Sequence, residues 1–224
     1  MEIDLLMLLS KAIMKKYVKD VQVWGKEVPG MFSVKSAYEC LAKQASGPQS
    51  EVFKLLCKVK AFLNVATTTW RVMLDRIPTR VCLSRRGVMM NSTLCALCQL
   101  KEESCQHMFL ECRYAQWVWS LCFKWIGISF IQQNDLKMHF QSFYLSQASN
   151  KQNLVWKGVW ETVVRCIWDQ RNLIVFKKGV VDAEEVFQKA QLKSWQWMKH
   201  KVYSFNYSLV DWVSNPMICI KSYK

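Results

Sequence analysis

The residue types able to do chemistry concentrate in one stretch. Cys95-Ala96-Leu97-Cys98 is followed after eight residues by His107 and after four more by Cys112, a C-x2-C-x8-H-x4-C spacing. Two Cys separated by two residues can both turn inward from a tight knuckle. A His and a Cys five positions apart can close the other half of a tetrahedron from a helix start or a turn. Thiolates with one imidazole in a closed set of four is the donor set of structural zinc. The spacing is of a type used for zinc, although it is not the two-His finger pattern. The competing reading is a group of unrelated buried thiols, since ten Cys are spread along the chain. Cys105 lies within reach and is an alternative ligand.

Cys112 with His107 could also imitate a thiol nucleophile with its base. A closed ligand set explains the same residues and leaves no open position for catalysis. Other catalytic signatures are missing. Acidic residues are few and scattered, no Asp-Asp pair follows a Tyr or Phe, and the seven Gly stand singly. Neither a two-metal site nor a phosphate-cradling loop is expected. The sequence therefore predicts no enzyme and no small-molecule substrate.

A second concentration of chemistry is basic. Lys58, Lys60, Arg71, Arg76, Arg80, Arg85 and Arg86 precede the Cys/His stretch, in a chain with 31 Lys and Arg against 17 Asp and Glu, a net charge of +14. Forked guanidinium donors suit phosphate. Charge of this sign and size points to nucleic acid, RNA or DNA, held by its backbone. A plain solvated surface is the alternative. A membrane surface is suggested only by charge and by 11 Trp, a weak basis.

The elements that must position these residues read as mainly α. Residues 3–18 carry an amphipathic pattern. Met31 to Val34 reads as a short strand or hairpin arm, with Ser36 as a cap for the helix that follows. Residues 51–75 read as one long helical region, locally weakened by Thr67-Thr68-Thr69 and ended by Pro78. A helix beginning near Arg113 places Tyr114, Trp117, Val118, Leu121, Cys122, Trp125 and Ile126 on a wide apolar face that reads as core. Asn134 to Gln141 adds a short helix, with His139 isolated and read as a surface residue; Ser146 to Gln152 reads as a linker. The clearest helix covers 154–176, and Asp182 to Glu185 has the spacing that opens another. The tail from Tyr203 is aromatic and irregular, packing back or fraying. The expected organisation is an N-terminal helix, strand and linker (1–50), a zinc-binding core (51–130), a polar linker (131–153) and a C-terminal helical extension (154–224).

Residues 1–20 carry Glu2 and Asp4 where a secretory signal wants positive charge, so a reducing compartment is expected, with metal-bound or free thiols. The most apolar segment, Trp117 to Ile131, is short for a membrane span and contains Lys124.

Several blocks carry a resemblance. They are Phe32 to Tyr38; Trp70 to Arg80 with Leu83 and Arg85-Arg86-Gly87-Val88; and Cys95 to Cys98 with Glu102-Glu103-Ser104, His107-Met108-Phe109, Cys112 and Ala115 to Trp119. Together they resemble the zinc-binding domain C-terminal to the reverse transcriptase in plant LINE-type (non-LTR) retrotransposon polyproteins. Residues from about 24 to 125 are covered well and the rest loosely. The resemblance implies that Cys95, Cys98, His107 and Cys112 are the zinc ligands. It also implies that the chain is a detached end of a polyprotein whose polymerase lies upstream. Localisation stays open: no nuclear signal stands out, and the nucleus rests only on a retroelement's need to reach the chromosome. One departure stands out: Cys57 and Ala61-Phe62-Leu63 occupy a region where such proteins usually have a Trp and a Pro. A structural or protein-interaction module, or a degenerate retroelement remnant without activity, is the alternative implied.

Overall fold

Short polar caps set the starts of five helices. In the computed structural model, which describes residues 33, 36, 49–129, 133, 135–203 and 205–222, every named element is helical. Thr79, Asp135, Ser149, Asp182 and Ser208 each accept backbone N–H groups of the first turn that follows. The elements are α1 (Gln49–Val59), α2 (Leu63–Met73), α3 (Arg80–Arg85), a π-turn (His107–Glu111), α4 (Arg113–Ile126), α5 (Leu136–Ser142), α6 (Asn150–Lys177), α7 (Ala183–Lys201), α8 (Leu209–Ser214) and α9 (Pro216–Lys221). The chain divides into two compact units, Met1–Gln49 and Ser50–Lys224.

In the first unit the expected helix at 3–18 and most of the expected strand at 31–34 lie outside the described residues. Ser36 is helical, and its N–H donates to the Ser33 hydroxyl at 3.1 Å; the rest of the expected helix 37–44 lies outside the described residues.

The second unit is built on α6. Val155, Trp156, Val159, Trp160, Val163, Val164 and Ile167 are all buried, together with Lys157, Glu161, Gln170 and Arg171, so this helix is covered on every side. α7 returns antiparallel along it. The Trp197 ring packs onto Gly158, where a Cβ would stand 2.4 Å from it. Arg165 of α6 donates to the Asn64 carbonyl and the Thr68 hydroxyl, fastening α2. Trp119 of α4 stacks on Trp160 with ring centroids 5.8 Å apart.

Several expectations are corrected in detail. The region 51–75 is two helices, because Lys60 takes a left-handed backbone (φ +56) and α2 begins only at Leu63. The Thr run does not break α2; each hydroxyl bonds back to a carbonyl one turn earlier, as in Thr68 to Asn64 at 2.8 Å. The buried face of α4 is Ala115, Val118, Trp119, Cys122, Phe123 and Ile126, while Trp117 is exposed. Ser149 and Gln152 form a reciprocal capping box, so the expected linker ends as the first turn of α6. His139 is not on the surface. It is 1% exposed and its Nδ1 accepts the Trp160 indole N–H at 2.7 Å. Burial pushes its pKa down to about 4. The tail packs back as two short helices, with Trp212 fully buried and its indole donating to the Gln191 carbonyl. Among the described residues no helix is long and apolar enough to cross a membrane.

Candidate metal centre

Cys95 and Cys98 sit at the tip of a tight hairpin. Its arms are joined by Cys95 N–H to the Lys101 carbonyl (2.7 Å), Glu103 N–H to the Thr93 carbonyl (2.8 Å) and a bridge between Leu94 and Glu102. This bridge is the β-type pairing found among the described residues. Gln99 completes the knuckle in a left-handed conformation (φ +57), its N–H returning to the Cys95 carbonyl.

The other two groups come from the π-turn. His107 and Cys112 are five positions apart, an awkward spacing for an α-helix because the angular offset carries them to different faces. Here the Cys112 N–H bonds to the His107 carbonyl at 2.7 Å, the five-residue hydrogen bond of a π-turn, and the widened turn brings both side chains to one side. The Trp119 indole donates to the Phe109 carbonyl at 2.8 Å and holds that turn against α4.

The four ligand atoms all lie within 4.8 Å of one another, and all four residues are buried. Cys98 Sγ is 3.2 Å from His107 Nε2, and Cys95 Sγ is 4.0 Å from Cys112 Sγ. Ligands at zinc's usual bond lengths stand about 3.5 to 3.8 Å apart in a tetrahedron, so a small adjustment seats the ion. The electrostatics agree. Cys112 is held low chiefly by the Cys95 S–H donating to it, and Cys95 is pushed up by that same bond and by burial. Burial lowers the His107 pKa and keeps its ring neutral, with Nε2 facing the sulfurs. Its Nδ1 lies 4.0 Å from the Glu111 carboxylate. A neutral imidazole and buried sulfurs in need of a counter-charge fit a divalent ion. This is a structural zinc site, closed by four protein ligands.

Cys105 is not a fifth candidate for this set. Its thiol groups instead with Cys82 and Asp75.

One residue essential to the arrangement was not singled out as functional by the spacing. Glu103 is fully buried, and its Oε1 accepts from Arg171 Nη2 (2.7 Å), Arg171 Nε (3.1 Å) and the Arg80 N–H (3.0 Å). Its Oε2 accepts the Ala96 N–H inside the knuckle at 3.0 Å. A single carboxylate thus ties the knuckle to the start of α3 and to α6. Its sequence signal is one of two adjacent acidic residues after the knuckle, 68 positions from its partner.

The seven basic residues are not one patch. Arg76 N–H bonds to the Arg71 carbonyl (2.8 Å) and Arg86 Nη2 to the Arg76 carbonyl (3.2 Å), which gathers these three at the α2–α3 corner. Arg85 joins them there, 3.5 Å from Asp75. Arg71, Arg76, Arg85 and Arg86 are exposed. Arg80 is half-buried and its guanidinium donates to the Leu94 carbonyl at 2.8 Å, bracing the zinc hairpin. Lys58 and Lys60 lie at the opposite end of α2, where the Lys60 carbonyl accepts the Trp197 indole. An eleven-residue helix separates the two groups by about 16 Å.

Residues 32–119 match the family model described as zinc-binding in reverse transcriptase. The match ends within α4 and includes the four ligands, Glu103 and the arginine corner. No curated protein and no solved structure matches the chain.

Proposed function

We propose that this chain is a non-catalytic, reverse-transcriptase-associated zinc module of a retrotransposon-derived protein of the plant LINE type, and that it holds RNA or DNA by the phosphate backbone. The observation that carries the reading is the exposed corner of Arg71, Arg76, Arg85 and Arg86, set beside a zinc hairpin that Arg80 and Glu103 brace. Trp70, next to Arg71, is 44% exposed and rests on Phe53 with ring centroids 5.2 Å apart. An aromatic face beside guanidinium groups offers stacking to an unpaired base as well as phosphate contacts. Zinc supplies rigidity to the hairpin; the binding groups are the chain's own side chains.

The test is a salt series with fluorescent RNA and DNA. Arg71, Arg76 and Arg86 are changed to Gln together, because none of the three is used to brace the metal centre. Affinity should fall evenly across sequences, and the slope of log affinity against log salt should flatten by about 0.7 to 0.9 per lost contact. Unchanged affinity and slope would reject the phosphate reading. They would favour a docking role toward a polymerase domain, or a remnant without binding activity.

A further inference from the structure

We propose that Cys82, Cys105 and Asp75 form a second site for a thiophilic divalent cation, separate from the zinc centre and open to solvent. Three elements converge on it. Cys82 sits in the first turn of α3, its N–H held by the Thr79 hydroxyl at 3.2 Å. Cys105 begins the turn that leads into the π-turn. Asp75 follows α2 in a left-handed conformation (φ +51), the one that turns its carboxylate back toward α3. The two sulfurs and a carboxylate oxygen lie within 4.8 Å of one another. The Cys82 S–H donates to the Asp75 carbonyl at 3.4 Å and approaches Asp75 Oδ1 at 3.6 Å. Asp75 Oδ2 faces Arg85 instead, at 3.5 Å. The carboxylate is thereby shared, one oxygen to the thiols and one to a guanidinium.

Donor chemistry selects the ligand. Two thiolates and one carboxylate suit zinc, cadmium or cobalt rather than magnesium or calcium. Tetrahedral ligands at the usual bond lengths stand about 3.8 Å apart, so three atoms already this close need only contract. Binding replaces two S–H protons, which leave to solvent as the two metal–sulfur bonds form. Arg85 offsets the third negative charge.

The site differs from the zinc centre in access. Both thiols are buried, but Asp75 is exposed, and a cleft of about 350 Å³ lined by Asp75, Cys82, Ser104, Cys105 and Asp135 opens onto them. Three protein ligands leave a fourth position to water, so this ion should exchange where the closed one does not. Its occupancy would pin the arginine corner to the π-turn, joining the proposed nucleic-acid surface to the zinc centre.

The test is equilibrium dialysis of the full chain against buffered zinc, beside Cys82→Ser, Asp75→Asn and the Cys95→Ser, Cys98→Ser pair. The wild type should hold two ions, one removed by a mild chelator and one resistant. Cys82→Ser should abolish the exchangeable ion only, and Asp75→Asn should weaken it at least tenfold. The Cys95→Ser, Cys98→Ser pair should lose the resistant ion and, with the fold, the exchangeable one too, so the second site is assigned on Cys82→Ser and Asp75→Asn, which keep the resistant ion. One ion per chain at saturating zinc, unchanged by Cys82→Ser and Asp75→Asn, would overturn the proposal whatever the fate of the zinc centre.

Discussion

Glu103 and Arg171 are the pair on which the site's geometry turns, with side chains 0% and 4% exposed. A buried ion pair is a weak source of net stability, but removing one partner strands the other charge. Glu103→Gln leaves the Arg171 guanidinium without its counter-charge. It should cost about 3 kcal/mol, read as a lower urea midpoint at unchanged zinc content. A loss within experimental error would mean that Arg171 finds another counter-charge. Glu161 makes the opposite case. It is fully buried, neither carboxylate oxygen has a hydrogen-bond partner among the described residues, and burial pushes its pKa up to about 8. The folded state therefore binds this proton more tightly than the unfolded chain, whose ordinary value is 4.5. Stability from this group is full below pH 4.5 and declines as pH rises toward 8, by about 1.4 kcal/mol per pH unit. His139 works the other way, losing stability as pH falls from 6.5 toward 4, so above 6.5 it does not mask the decline from Glu161. Glu161→Gln should flatten the decline there in urea titrations at stepped pH. A slope equal to that of the wild type would contradict the assignment. At this scale the sequence was partly legible. Cys95, Cys98, His107 and Cys112 are close along the chain, so their spacing sufficed. Glu103 with Arg171, and Cys105 with Cys82, meet only through the tertiary fold.

The elements were legible where local chemistry decides them. Asp182 as a cap and the start of α4 at Arg113 are set by a few adjacent residues. The break at Lys60 had no Gly or Pro to announce it. The buried face of α4 is shifted by one position from its hydrophobic pattern because two neighbours distant in sequence set its burial. Trp119 is drawn inward by the Phe109 carbonyl and Trp160, which leaves Trp117 outside. The π-turn was hidden as well, since hydrophobic periodicity does not report a single widened turn. Gly158 is the corresponding feature of the α6–α7 pair. Ala is the better helix former by about 1 kcal/mol, yet its Cβ would meet the Trp197 ring at 2.4 Å. Gly158→Ala should therefore lower the melting temperature, with a net loss of about 1 to 3 kcal/mol. A stabilised variant would show that Trp197 can withdraw freely.

In the second unit one core runs from Val52 to Ile220 among the described residues, and the three Cys ligands of the metal are part of it. Mainly helical architecture and a zinc-binding module could both be read from the sequence, since the first follows from periodicity and the second from ligand type. That α6 would be buried on all sides was less visible, because its polar residues Lys157, Glu161 and Arg171 are inside. Lys157 is there to donate to the carbonyls of Phe140, Gln141 and Phe143 around the end of α5. Its positive charge suits a helix C-terminus. Zinc holds the hairpin and the π-turn against this core, and buried thiolates without their cation are costly. The most direct test is near-ultraviolet circular dichroism during titration with a strong chelator, with released zinc counted in parallel. The Trp119 environment depends on the π-turn, so tertiary ellipticity should collapse as the resistant ion leaves and return when zinc is restored. Full release of zinc with the tertiary signal unchanged would contradict a structural role for the metal.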